Sequence, residues 1–307
     1  MRWEKCGRIL SPQPEIWWMS RYAGPSFAKP SDDGWVIYVT GRDENNVSRI
    51  GRVHGFMNGE SFAVETIEED PVFDVGSLGT FDESGVSYPW IVEVQDRLLM
   101  FYVGWVSGGR NRFQNFTGMA WSQDDGSTWS RSSLVPLLDR SDEDPYGTGS
   151  CCVYRDGDMF HMIYTAFRPW MPSAERNRPT YVLKRAVSSD AVTWNRTGEV
   201  VVDFESPDEY VIGKPCVLDE PQARHLWYSY RGESYRIGYA RAVEDGTFRR
   251  LDDLAGISVS ESGWDAESVE YAHVFRSYGE LWMIYNGNDF GRTGLGLARL
   301  KGRLISD

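Results

Sequence analysis

Three acidic residues lie in segments that separate stretches of the chain could bring around one ligand. They are Asp43 in Gly41-Arg42-Asp43, Asp82 in Phe81-Asp82-Glu83-Ser84-Gly85-Val86, and Glu267 in Gly263-Trp264-Asp265-Ala266-Glu267. Two carboxyl groups across a sugar are what glycosidic cleavage requires: a raised-pKa acid for the leaving oxygen and a base or nucleophile opposite. Glu267 is the candidate proton donor, and Asp82 or Asp43 the base or charge modulator. Arg42 and Arg231 are candidate substrate clamps, because a guanidinium can hold a carboxylate ionised or grip an anionic group with two parallel hydrogen bonds. Arg21, Arg168, Trp105, Trp264, Tyr271, Asn286 and Asn288 complete the candidate substrate-binding set, with the tryptophans placed to stack on sugar faces. Asp265 reads as a turn cap after Trp264. Glu270 follows Glu267 by three residues, so the period-2 alternation of a strand puts it on the opposite face. In a chain with 45 acids, the same carboxylates also fit ligand-binding or purely structural roles.

These residues must be positioned by a repeat. An apolar-aromatic strand ending in tyrosine recurs as Trp35-Val36-Ile37-Tyr38, Leu99-Met100-Phe101-Tyr102, His161-Met162-Ile163-Tyr164, His225-Leu226-Trp227-Tyr228 and Trp282-Met283-Ile284-Tyr285, with the tyrosines 64, 62, 64 and 57 residues apart. Each copy is preceded by an apolar segment and followed by a third strand. A fourth strand begins at Phe62, Trp129, Trp194 and Phe248, and Arg2-Trp3-Glu4-Lys5 supplies the missing fourth strand of the last copy. Four short strands per repeat, repeated radially, are the signature of a β-propeller. The expected architecture is therefore all-β: one domain over 1–307, with four-stranded antiparallel blades at about 16–74, 82–139, 146–203, 210–257 and 267–307, the fifth closed by the N-terminal strand at 1–10. Inner strands would line a central funnel. Glu267, Arg42, Asp43 and Asp82 would then meet at its mouth from neighbouring blades.

The cysteines and tryptophans mostly fall to packing. Cys152 and Cys216 share one repeat position and read as buried strand residues. Trp3, Trp35, Trp129, Trp194, Trp227 and Trp282 recur at repeat positions and read as inter-blade packing. The run from Ser122 to Trp129 fits the Asp-box pattern S-x-D-x-G-x-T-W, with a degraded copy at Ser188–Trp194 and a remnant at Glu244–Phe248; it marks a turn between third and fourth strands.

Composition excludes other classes. A net charge of −13, from 45 Asp and Glu against 32 Lys and Arg, argues against a nucleic-acid or anionic-membrane partner. No apolar run approaches the roughly 20 residues of a bilayer span. No secretory h-region stands at the N-terminus, so a cytoplasmic protein is expected. The scattered histidines and the absence of CxxC spacing suggest no metal, and no cofactor motif is present. The expected partner is a carbohydrate or other sugar-containing small molecule.

The strings already quoted, with Tyr235-Arg236-Ile237-Gly238-Tyr239-Ala240 and Tyr285-Asn286-Gly287-Asn288, resemble the five-bladed propeller proteins related to glycoside hydrolase families 43, 32 and 130, from about Trp3 to Leu300. The resemblance implies a carbohydrate-active funnel with an aspartate in blade 1, an aspartate in blade 2 and a glutamate in a later blade. Asp82 matches the blade 2 position. The first strand of blade 1, Tyr22-Ala23-Gly24-Pro25-Ser26, lacks the base aspartate, and Gly147-Thr148-Gly149-Ser150-Cys151 lacks the blade 3 glutamate. Open alternatives are a phosphorylase or transferase of surface-polysaccharide metabolism, a non-catalytic sugar-binding propeller and a protein-interaction propeller.

Overall fold

The computed structural model describes residues 1–172, 177–244 and 246–305. Asp245, in the third Asp-box remnant, lies outside the described residues. Alternating apolar and aromatic runs broken by Gly, Pro and Asp-Gly turns form strands and only short 3-10 turns. After β1 (Arg2–Leu10), four antiparallel meanders follow: β2 (Tyr22–Ser31), β3 (Gly34–Arg42), β4 (Ser48–Asn58) and β5 (Ser61–Ile67); β6 (Gly85–Val94), β7 (Arg97–Ser107), β8 (Phe113–Ser122) and β9 (Ser130–Arg131); β10 (Thr148–Asp156), β11 (Met159–Met171), β12 (Arg178–Ser188) and β13 (Asn195–Val202); β14 (Val211–Glu220), β15 (Ala223–Arg231), β16 (Tyr235–Ala242) and β17 (Phe248–Arg250). The last unit is β18 (Glu270–Ser277), β19 (Glu280–Asn286) and β20 (Leu295–Lys301), completed by β1, which pairs with β20 so that Trp3 faces Leu300. Single parallel bridges, Ser48 to Gly85 and Tyr181 to Val211, join the first unit to the second and the third to the fourth. Among the described residues, no helix is long and apolar enough to cross a membrane.

The first strands of the units meet one another: β2 contacts β6, β6 contacts β10, β10 contacts β14, β14 contacts β18 and β18 contacts β2. Each carries a bulge at the same place, between Ala23 and Ser26, Ser87 and Trp90, Thr148 and Cys151, Gly213 and Cys216, and Glu270 and His273. At three of them a non-glycine residue is forced to positive φ: Tyr88 (56°), Lys214 (50°) and Tyr271 (58°). The amides of these residues are caught by hydroxyls of the preceding unit, Thr40 Oγ1 (3.0 Å), Ser150 Oγ (3.0 Å) and Ser229 Oγ (2.7 Å). A bulge re-aims its side chains and concentrates strain where strands converge.

Between the units lies the core. Tyr38, Tyr102, Tyr164, Tyr228 and Tyr285 are all buried, as are Cys151, Cys152 and Cys216, which carry free thiols. Trp3 meets Trp227 edge-on and Trp35 meets Trp282. Trp18, Trp90 and the candidate sugar-stacking Trp264 join this packing, with Trp18 filling the space over Gly41 and Gly51. The Asp-box is the expected turn: Asp124 accepts from the Thr128 amide and hydroxyl, Gly126 N donates to Ser122 Oγ, and the turn joins β8 to β9. Those hydrogen bonds hold the Asp124 carboxyl down at about 2.

Candidate active site

Asp82 is fully buried, and its partners belong to its own unit. Tyr102 donates its hydroxyl to it at 3.0 Å, Thr80 at 2.9 Å, and Arg131 donates Nε at 2.7 Å. The same device recurs. Tyr164 donates to Asp144 at 2.8 Å, with Lys184 and Arg196 as cations, and Tyr285 donates to Asp265 at 3.0 Å, with Lys5 as cation at 2.6 Å. In all three cases the acid stands 20 residues before its tyrosine. Arg131, Arg196 and Lys5 each follow a fourth-strand tryptophan by two residues. The acid therefore locks the loop ahead of the first strand to the second and fourth strands. Asp265 caps more than a turn, and Asp82 occupies a position that the repeat uses for architecture.

The other sequence candidates divide. Asp43 accepts from the amides of Asn45 and Val47 and from Arg49 at 2.8 Å, closing the loop between β3 and β4. Glu267 is exposed, and its recorded hydrogen bonds run through its backbone, from its amide to Asn288 Oδ1 and from Arg236 to its carbonyl. Asn288 thus shapes the loop before β18. Trp264 lies over Gly287 and Gly296 as packing. Arg168 is neutralised by Asp203 through two bonds of 2.8 and 2.7 Å. Arg21 is exposed, with its amide bonded to the Arg42 carbonyl. Arg42 lies over the rings of Tyr22 and Trp105, and Trp105 donates to Ser48.

The carboxyl group at the convergence of the first strands is Glu270. Residues 267–269 precede the strand, β18 begins at Glu270, and the bulge behind it turns this side chain inward. Glu270 is completely buried. Its Oε1 accepts from the Phe290 amide at 2.8 Å, while its Oε2 is buried without a hydrogen-bond partner. Burial pushes its pKa up to about 8, and neither the Phe290 amide nor Arg231 compensates fully. Across the strand pair stands Asn286, also buried, with its Nδ2 donating to the Ala23 carbonyl and its Oδ1 unpartnered.

Around Glu270 the strands gather rings. Tyr88 meets Tyr271 edge-on at 5.2 Å, Tyr235 lies 5.7 Å from Tyr271, and the hydroxyls of Tyr181 and Tyr235 are 3.1 Å apart. Phe290 closes one side at 5.6 Å from Tyr235. Burial raises the hydroxyl pKa values of Tyr271, Tyr235 and Tyr181, keeping them as neutral donors. Arg231 spreads over Tyr235 at 5.1 Å and Tyr210 at 5.8 Å, with its Nε buried and unpartnered. Tyr271, Arg231 and Asn286 of this cluster are among the sequence candidates; strand alternation sets Glu270 on the opposite face, and Tyr88, Tyr181, Tyr210, Tyr235 and Phe290 are not singled out. The available signal was Pro25, Pro89 and Pro215 at one repeat position, since proline inside a strand marks a bulge. Among the described residues, no group of three or more His, Cys, Asp or Glu side chains is gathered as a metal site.

No family model matches the chain. Solved structures with a similar fold include a "Glycoside hydrolase" (TM-score 0.75, 17% identity, covering 98% of this chain and 92% of that one). A second comes from work on the GH130 family of mannoside phosphorylases and hydrolases of β-1,2 mannosidic linkages (0.74, 16%, 99% and 96%). A third is the Bombyx mori GH32 β-fructofuranosidase BmSUC1 (0.65, 12%, 97% and 61%). The fold is that of the propeller-type glycosidases. Within it, the chain belongs to the family of two Mycobacterium tuberculosis proteins, "Uncharacterized protein MT1551" and "Uncharacterized protein Rv1502". It is 33% identical to each over 303 residues, covering 98% of this chain and all of theirs.

Proposed function

We propose that the chain is a glycoside hydrolase-like enzyme, a single closed propeller of five four-stranded blades that cleaves or transfers a glycosyl group of a small glycan in its central funnel. The cyclic contacts of the five first strands support the blade count. The free thiols of Cys151, Cys152 and Cys216 support a cytoplasmic setting. Glu270 carries the reading: a buried carboxyl held near pKa 8 is protonated at neutral pH, as a general acid must be. Its proton passes to the glycosidic oxygen as the bond from that oxygen to the anomeric carbon breaks; a water molecule or acceptor hydroxyl bonds to the anomeric carbon in its place and gives up its proton to solvent or to the Glu270 carboxylate. The rings of Tyr88, Tyr235 and Tyr271 wall the sugar, and Arg231 steadies the carboxylate left behind. Asp82 and Asp43 serve the scaffold, and Glu267 the rim.

The decisive experiment is Glu270→Gln assayed for reducing-sugar release on a glycoside that the parent cleaves. A fall of about 10²–10⁴-fold in kcat is expected; full turnover would overturn the assignment.

Phosphorolysis or transfer is the second reading. Asp289, the carboxylate whose charge acts on Glu270, is bound to Arg292 at 2.8 Å, so an external nucleophile would take the base's place. Strict dependence of turnover on inorganic phosphate or a sugar acceptor would select it.

A further inference from the structure

Three second strands carry an arginine three or four residues after the repeat tyrosine: Arg42 on β3, Arg168 on β11 and Arg231 on β15. Arg168 is neutralised by the bidentate contact with Asp203. The other two are handled differently. Arg42 is held by the rings of Tyr22 and Trp105 and by Asn46 Oδ1 at 2.8 Å, and Arg231 by Tyr210, Tyr235 and Phe290. Neither has a carboxylate within ion-pair distance among the described residues. Both border the cluster around Glu270: Arg231 covers Tyr235, and the charge of Arg42 acts on Tyr88, which touches Tyr271. Aromatic faces fix a guanidinium while leaving its N–H groups free for an oxyanion. The buried, unpartnered Nε of Arg231 is such a donor. With Glu270 protonated, the cluster holds two uncompensated positive charges in a chain whose net charge is −13.

From these two arginines we infer that the substrate is itself anionic: a sugar bearing a phosphate or carboxylate, its oxyanion received by Arg231 and Arg42. The inference rests on the funnel reading above and deepens it. A phosphate and a uronate share this chemistry, and inorganic phosphate differs in bringing no ring for the tyrosines to wall.

The test is calorimetric binding to the parent and to Glu270→Gln, using glucose 1-phosphate, mannose 1-phosphate, glucuronate and galacturonate beside their neutral methyl glycosides and inorganic phosphate. At least one anionic sugar should bind about tenfold or more tightly than its neutral counterpart, and the preference should shrink as salt rises. The two arms identify phosphate or carboxylate. Arg231→Met and Arg42→Gln should each remove most of the preference at an unchanged unfolding midpoint, and Arg231→Lys should restore part of it. Equal binding of anionic and neutral sugars, binding of none of the anionic sugars, inorganic phosphate binding as tightly as any sugar phosphate, or a preference surviving in the double variant would overturn the inference. An active Glu270→Gln that keeps the anionic preference would sink the catalytic assignment alone.

Discussion

Tyr102 donates its hydroxyl to Asp82 at 3.0 Å, and Arg131 closes the same carboxylate from the fourth strand. A buried carboxylate with three donors is strongly coupled to its surroundings, and leaving those donors unpaired is costly. Asp82→Ala should lower unfolding free energy by about 3–5 kcal/mol in urea titration. With Tyr102→Phe the losses should be non-additive. The folded fraction of the variant should retain its turnover; loss of turnover in fully folded protein would return Asp82 to the chemistry.

Glu270 links activity and stability to pH in the same direction. Its pKa is raised from 4.5 to about 8, so between those values the folded state holds a proton that the unfolded state releases. The contribution is complete below pH 4.5 and is lost as pH climbs through 8, at up to about 1.4 kcal/mol per pH unit. Glu270→Gln should flatten that slope in melts between pH 5 and 9. In the parent, kcat should fall above pH 8 as the acid deprotonates.

Lys214 is buried at its bulge, its Nζ unpartnered and 5.7 Å from the Trp90 ring centre. Burial lowers its pKa below 10.5, so between the lowered value and 10.5 the folded state binds fewer protons and stability rises with pH. Lys214→Met should remove that slope and stabilise the protein at neutral pH by about 1–3 kcal/mol, read by chemical denaturation.

Glu267 is exposed, with its recorded contacts made by its backbone. Glu267→Gln should leave kcat within about twofold and stability within about 0.5 kcal/mol. A large loss of kcat would make Glu267 the acid after all.

The meander units were legible because strand alternation and the recurring tyrosine are local signals, and the join of β1 to β20 because Trp3-Glu4-Lys5 repeats the fourth-strand pattern. The buried carboxyl where the first strands converge was not. Choosing between Glu267 and Glu270 by alternation presumes a strand already running at 267, whereas it begins at Glu270 and bulges at once. The tie of Asp82 to Tyr102 was hidden for the converse reason: the 20-residue spacing stands in the sequence, but it had to be seen together with the same spacing at Asp144 and Asp265.

The pairing of Trp3 with Leu300 has a consequence for how the molecule is made. β1 must wait, its edge unpaired, until the four units between it and the last sheet have been synthesised. The last sheet is thus a late, long-range closure, with the slow loop-ordering step that such contacts entail. A circular permutant opened in the loop before β2 would turn this seam into a local hairpin-like neighbour, and should refold faster than the parent in stopped-flow measurements while keeping the same sheets.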